Sequence, residues 1–239
     1  MISRFMTRLY RKSELSFACL CLAVYVAGSG LSGALGGLAG LPRLFPALFR
    51  LALAVFLLAW VRRGGRCEKF GLFWPRYRLS RACFFLPLGL AACFPLFFCP
   101  ALPPSAGAAL TAVSLACAGF LEELLFRGFL FRALERGGPR RAVMVSSLIF
   151  ALAHLINLFS GCSPAETALQ VVFAAGVGIA LAVLVYKGAS LLPCVAFHVL
   201  NNVLSLFAAP DPRVLLLPLA VCLLVLAVYS FWLLKRLKA

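Results

Sequence analysis

Charge is scarce in this 239-residue chain: Asp, Glu, Lys and Arg together make up 13% of it. No polar stretch between its apolar runs is long enough to fold alone, which excludes a separate soluble domain. Acidic residues number seven and histidines two, so any of them inside an apolar run is a functional candidate. No internal repeat or pair of similar halves is visible, which argues against a carrier built from inverted repeats. The spacing His-Glu-x-x-His is missing, so zinc hydrolysis is not the default. A disulfide framework is missing too, although there are ten cysteines. Cys19, Cys21, Cys83, Cys93, Cys99, Cys117, Cys194 and Cys222 lie in apolar runs and read as small buried hydrophobes. Cys67 sits in a basic loop and Cys162 has no evident partner.

What the chain has in abundance is apolar length, with 64% hydrophobic residues. At about 20 residues per span, this predicts an all-α polytopic membrane protein of about eight transmembrane helices in one bundle. The spans fall near 15–36, 45–61, 82–103, 107–131, 141–159, 165–186, 189–208 and 213–234, and residues 1–239 form a single membrane domain. The net charge of +16 does not indicate a nucleic-acid partner, because the cations alternate with the spans. They concentrate in the N-terminal segment, in 62–81, in 132–141, at Lys187 and in the tail. By the positive-inside rule both termini are cytoplasmic, in a bacterial inner membrane, with membrane lipids as the surrounding partner. The first apolar run, behind a basic segment, resembles a signal peptide. Its removal would break the charge alternation, so it reads as a retained span. The aromatic and cationic loop Gly64–Arg81 reads as an interfacial segment, and Arg50 as a snorkelling side chain at a span end.

The polar exceptions fall in three spans. Glu122, Glu123 and Arg127 interrupt the run that begins near Ala106. On a helix Glu123 and Arg127 share a face and pair. Glu122 is rotated about 100° away and has no cation three or four residues off, which leaves it as a spare carboxylate suited to acid–base work. His154 follows Phe150 by four residues, and Asn157 lies one turn on, where it could orient the ring. His198 precedes Asn202 by four. A carboxylate, two imidazoles and an amide at membrane depth are the ingredients of a hydrolytic site. Glu122, His154 and His198 also match the ligand count of a catalytic zinc site, so Zn2+ is chemically admissible though no cofactor is certain. The bland reading of each membrane histidine is an interhelical hydrogen-bond partner, and that of Phe150 a piece of wall.

These residues stand as Glu122-Glu123-x-x-x-Arg127, Phe150-x-x-x-His154 and His198-x-x-x-Asn202. In that order they resemble the three motifs of the CAAX protease and bacteriocin-processing (Abi) family of intramembrane proteases. The resemblance covers about residues 107–208 and marks that segment as the catalytic core. It implies a membrane endopeptidase whose cavity opens to the cytoplasmic side. Its substrates would be peptides or proteins that are prenylated or carry a leader. It further implies that Glu122 and His154 activate water, and that His198 and Asn202 stabilise the oxyanion or, on an older view, bind metal. Glu123, Arg127 and Phe150 would be supporting residues. Two other classes remain at this stage: a non-catalytic immunity or scaffold protein of the same fold, and a small-solute transporter.

Overall fold

A computed structural model describes residues 2–74, 85–94, 107–188, 190–207 and 212–236. The described residues are helices joined by short turns, with no strand. In chain order they are α1 Ile2–Lys12, α2 Glu14–Leu38, α3 Leu44–Arg63 and α4 Leu86–Ala92. Next come α5 Ala108–Glu123, a π-helical segment Leu124–Leu130 and α6 Phe131–Glu135, which form one rod. Then α7 Pro139–Ala153 runs into a 3-10 turn His154–Ser160 and is followed by α8 Pro164–Gly188. Last are α9 Leu192–Leu204, ending in the 3-10 turn Ser205–Phe207, and α10 Pro212–Arg236.

Among the described residues six helices are long and apolar enough to cross a membrane, so the chain is a polytopic membrane protein. Two of the eight expected spans are not among the six. The expected span 82–103 lies mostly outside the described residues. The expected span 189–208 appears as the shorter apolar helix Leu192–Phe207. The pattern on α10 shows how such helices divide their surface. Leu219, Cys222, Leu226, Tyr229 and Leu233 are buried, whereas Leu217, Val221, Leu224, Val228 and Phe231 are exposed. Both stripes are apolar, as expected when one face meets protein and the other hydrocarbon.

Helix α2 packs into the bundle. Its Phe17, Ala18, Cys21 and Tyr25 are buried in the core, and Ser13 caps it through the Ser16 amide. The turn after α3 departs from the interfacial reading in part. Phe70 is buried and joins Tyr10, Phe17, Trp60 and Phe129 in a cluster of edge and stacked rings. The Arg66 guanidinium lies 4.2 Å over the Trp60 ring. Residues 75–81 of that expected segment lie outside the described residues. Glu14 binds Lys69 at 2.6 Å and Arg136 at 2.7 Å, tying α2, the α3 turn and the end of α6 together at one basic face. Removing the central ring should be costly. Trp60→Ala should destabilise the bundle by about 3 kcal/mol, seen as a lower melting temperature in detergent. An unchanged melting point would show that the aromatic cluster is peripheral to stability.

Candidate active site

The site is assembled where the α5 rod meets α2, α7 and α9. Close approach comes first. A Cβ on Gly119 would sit 3.0 Å from the Val199 backbone nitrogen and 3.1 Å from the His198 carbonyl carbon. A glycine here therefore lets α9 lie directly against α5, as small residues do in membrane helix pairs. Gly178 does the same for α8 against Ser147 of α7, at 3.1 Å.

That contact brings His198 between the two carboxylates. Its Nδ1 lies 2.7 Å from Glu123 Oε1 and its Nε2 3.3 Å from Glu122 Oε2. A carboxylate oxygen only accepts, so Nδ1 carries a proton and donates to Glu123, while Nε2 stands at ion-pair distance from Glu122. Glu123 Oε1 also accepts from Arg127 Nη1 at 2.9 Å, with both side chains essentially sealed. With His198 protonated, two anions face two cations and the set is neutral. Arg127 further reaches the Gly178 carbonyl at 3.5 Å and lies 4.1 Å over the Phe150 ring.

Glu122 is not the spare carboxylate that local helix geometry suggests. Besides His198 it accepts the Tyr25 hydroxyl, 2.8 Å from Oε1. Both partners come from distant helices, which a three-or-four-residue rule cannot see. The rod changes winding right after the pair: the Phe131 amide bonds the Phe126 carbonyl five residues back. All seven residues of this π segment are buried, and such wide turns recur at functional sites.

His154 stands apart from this ion cluster. Its Nδ1 lies 2.9 Å from the Phe150 carbonyl. A carbonyl can only accept, so the neutral ring carries its proton on Nδ1 and leaves Nε2 as an acceptor. Asn157 does not orient this ring, because it donates to Gln170 at 2.6 Å. Phe150 makes edge contacts with both imidazoles, at 5.0 Å from His154 and 5.7 Å from His198. Asn202 donates to the Leu115 carbonyl at 3.4 Å.

A cavity of about 150 Å³ is lined by Glu122, His154, Tyr25, Arg50, Phe126 and Phe150, together with Val26, Ser29, Ala153, Ile156 and Asn157. His198 and Asn202 do not line it. Glu122 lies near the middle of the rod, while Arg50, Ser29, His154 and Asn157 lie toward the helix ends away from the basic face. The cavity therefore occupies mid-depth and the half of the bundle opposite that face, rather than the basic side implied by the resemblance. Among the described residues no three His, Cys, Asp or Glu side chains are grouped to hold a metal. The set Glu122, His154 and His198 fits zinc poorly, because His198 Nδ1 is bonded to Glu123 and the ring does not line the cavity that Glu122 and His154 share.

Residues 104–204 match the family model described as Rce1-like, type II CAAX prenyl endopeptidase. Over this segment the chain is similar to the CAAX protease family. The match contains Glu122, Glu123, Arg127, Phe150, His154, His198 and Asn202, and it nearly coincides with the segment 107–208 marked by the motifs. No curated protein and no solved structure matches the chain. Four cavity residues, Tyr25, Val26, Ser29 and Arg50, lie outside the family segment. The only hint of Tyr25 in the sequence is a hydroxyl in an apolar run, while Arg50 passes for a snorkelling cation.

The ion cluster should respond sharply to loss of its shared acceptor. Glu123→Gln leaves Arg127 and His198 buried without their anion and should cost about 3–5 kcal/mol. Thermal unfolding in detergent measures this, and a loss under 1 kcal/mol would mean that water already solvates the cluster.

Proposed function

We propose that the protein is an intramembrane endopeptidase in which Glu122 and His154 activate water against a peptide carbonyl. The observation that carries this reading is that these two side chains share one cavity while every other ionised group of the three motifs is paired behind it. Glu122 takes a proton from a water molecule, and the resulting hydroxide adds to the carbonyl carbon. His154 Nε2 accepts the other water hydrogen and fixes the attack direction. As the C–N bond breaks, Glu122 returns its proton to the departing amine nitrogen.

His198 acts from behind. Its Nε2 stands 3.3 Å behind Glu122, and its Nδ1 fixes the ring on Glu123. This is a positioning role, which differs from the oxyanion role that the resemblance implies for it. Asn202 also acts from behind the cavity wall: its amide donates to the Leu115 carbonyl and fixes α9 on the rod. Tyr25 supports Glu122 from the opposite side. Hydrolysis proceeds without zinc in this scheme, since the motif histidines and Glu122 do not converge as three ligands. The substrates we propose are membrane-associated peptides, CAAX tails or leader-type precursors, in a bacterial inner membrane with the basic face cytoplasmic.

The test is cleavage of a peptide library by the purified protein in proteoliposomes, with and without chelator. Glu122→Gln should abolish cleavage, His154→Ala should lower it by about 10²–10⁴-fold, and chelator should leave the wild type unaffected. Tyr25→Phe should lower turnover by about tenfold, as expected for one lost hydrogen bond to a charged group. Cleavage by Glu122→Gln equal to wild type would end the protease reading. Loss of wild-type cleavage in chelator, restored by zinc, would end the metal-free mechanism.

A further inference from the structure

The N-terminal helix α1 takes no part in the site, and its pattern differs from that of the spans. Its eleven residues, Ile2–Lys12, reach about 16 Å, too short to cross a bilayer. Ile2, Phe5, Met6 and Leu9 recur at helical spacing on one stripe, and Arg4, Arg8, Arg11 and Lys12 on another. Ser13 then breaks the helix with an extended backbone, φ −158° and ψ 112°, which sets α1 apart from α2. The second half of α1 is anchored on the bundle. Met6 is buried, Leu9 and Tyr10 pack against the core, and Thr7 Oγ1 accepts from Trp60 Nε1 at 3.2 Å. The first half overhangs: Ile2 is 66% exposed and Phe5 56%. All four cations are exposed as well, and no ion pair among the described residues involves them.

A second basic feature lies beside α1. A pocket of about 360 Å³ is lined by charged side chains alone: Glu14, Lys69, Arg132, Glu135 and Arg136. Lys69 reaches toward α1, its Nζ 4.8 Å from the Tyr10 ring, so helix and pocket share one surface. One acid, Glu14, serves both Lys69 and Arg136, which leaves that pair with a net positive charge. An apolar overhang next to a basic stripe fits an anionic phospholipid, whose chains take the apolar side chains and whose phosphate takes the cations. A soluble anion or acidic peptide would use the cations and leave Ile2 and Phe5 in water. We propose that α1 is an interfacial arm that binds anionic phospholipid. Ile2 and Phe5 enter the acyl layer, and Arg4, Arg8, Arg11 and Lys12 hold headgroup phosphates. The pocket cations Lys69 and Arg136 extend that stripe along the basic face. No residue of the candidate active site takes part, so this inference stands apart from the peptidase reading.

Hydrogen–deuterium exchange of the full chain in vesicles tests this, read on the amides of residues 2–12. The comparison is between vesicles of phosphatidylcholine alone and vesicles that also contain phosphatidylglycerol. A cation near an anionic surface is worth about fivefold in affinity, so with two or more engaged these amides should slow by about 25-fold or more in the anionic vesicles. Replacing Arg4→Gln and Arg8→Gln together should remove most of that slowing. Salt at about 1 M, where screening sets in within about 3 Å, should do the same to the wild type. Phe5→Gln keeps every cation and should weaken the slowing, which separates a lipid from a soluble anion. The substituted side chains are exposed, so the bundle keeps its fold, and an unchanged melting temperature in detergent checks this. Equal exchange in the two kinds of vesicle overturns the proposal, as does slowing that survives either set of substitutions. Slowing of the same size by inorganic phosphate in phosphatidylcholine vesicles also overturns it, in favour of a site for a soluble anion.

Discussion

The His198 ring held between Glu122 and Glu123 is the constraint on which the rest of the site depends. Each carboxylate would be untenable alone at mid-bilayer depth, where a single charge costs about 2.5–3.5 kcal/mol on insertion scales. Together with Arg127 and a protonated His198 they form a neutral set of two anions and two cations. Neutrality demands contact, and contact demands that α9 lie flush against α5. That is why Gly119 faces the α9 backbone at 3.0 Å. The helix pair, the glycine and the ion set are one structural requirement expressed at three levels.

The same set explains how one carboxylate is released for chemistry while its neighbour is not. Glu123 is sealed and shared by Arg127 and His198 through a single oxygen, Oε1. Glu122 is rotated toward the cavity and retains partial access, with 19% of its side chain exposed. Adjacent residues on a helix diverge by about 100°, so a Glu-Glu pair can place one acid in the packing and one at a wall. His154 reaches that wall by another device. Its helix tightens into a 3-10 turn at His154 itself, and the Phe150 carbonyl takes the Nδ1 proton. The free nitrogen is then Nε2, the acceptor that a water molecule needs.

Which parts were legible in the sequence follows from how local each interaction is. The Glu123–Arg127 pair is four residues apart and was readable from helix geometry, as were the membrane class and most span positions. The partners of Glu122 were not. Tyr25 and His198 approach it across 97 and 76 residues of chain, and no periodicity encodes which apolar faces meet. Helical spacing also suggested that Asn157 orients His154, but the 3-10 turn swings that amide to Gln170. The π segment escaped for a related reason. Leu124–Leu130 is apolar except for Arg127 and is buried throughout, so it offers no polar stripe from which to read its winding.

The four cavity residues outside the family segment suggest how such a fold divides its labour. The rod, α7 and α9 hold every group that the proposed hydrolysis uses except Tyr25, and these groups are fixed by buried charge. Helices α2 and α3 close the cavity from the other side and supply Tyr25 and Arg50. Side chains there contact the substrate volume without belonging to the neutral ion set, so they can change without unbalancing it. Glu122, Glu123, Arg127 and His198 lack that freedom, since altering any one of them leaves another charge buried and unpaired. Physical coupling of this kind ties Glu122 to one wall of the cavity, while the opposite wall, built by α2 and α3, carries no such constraint.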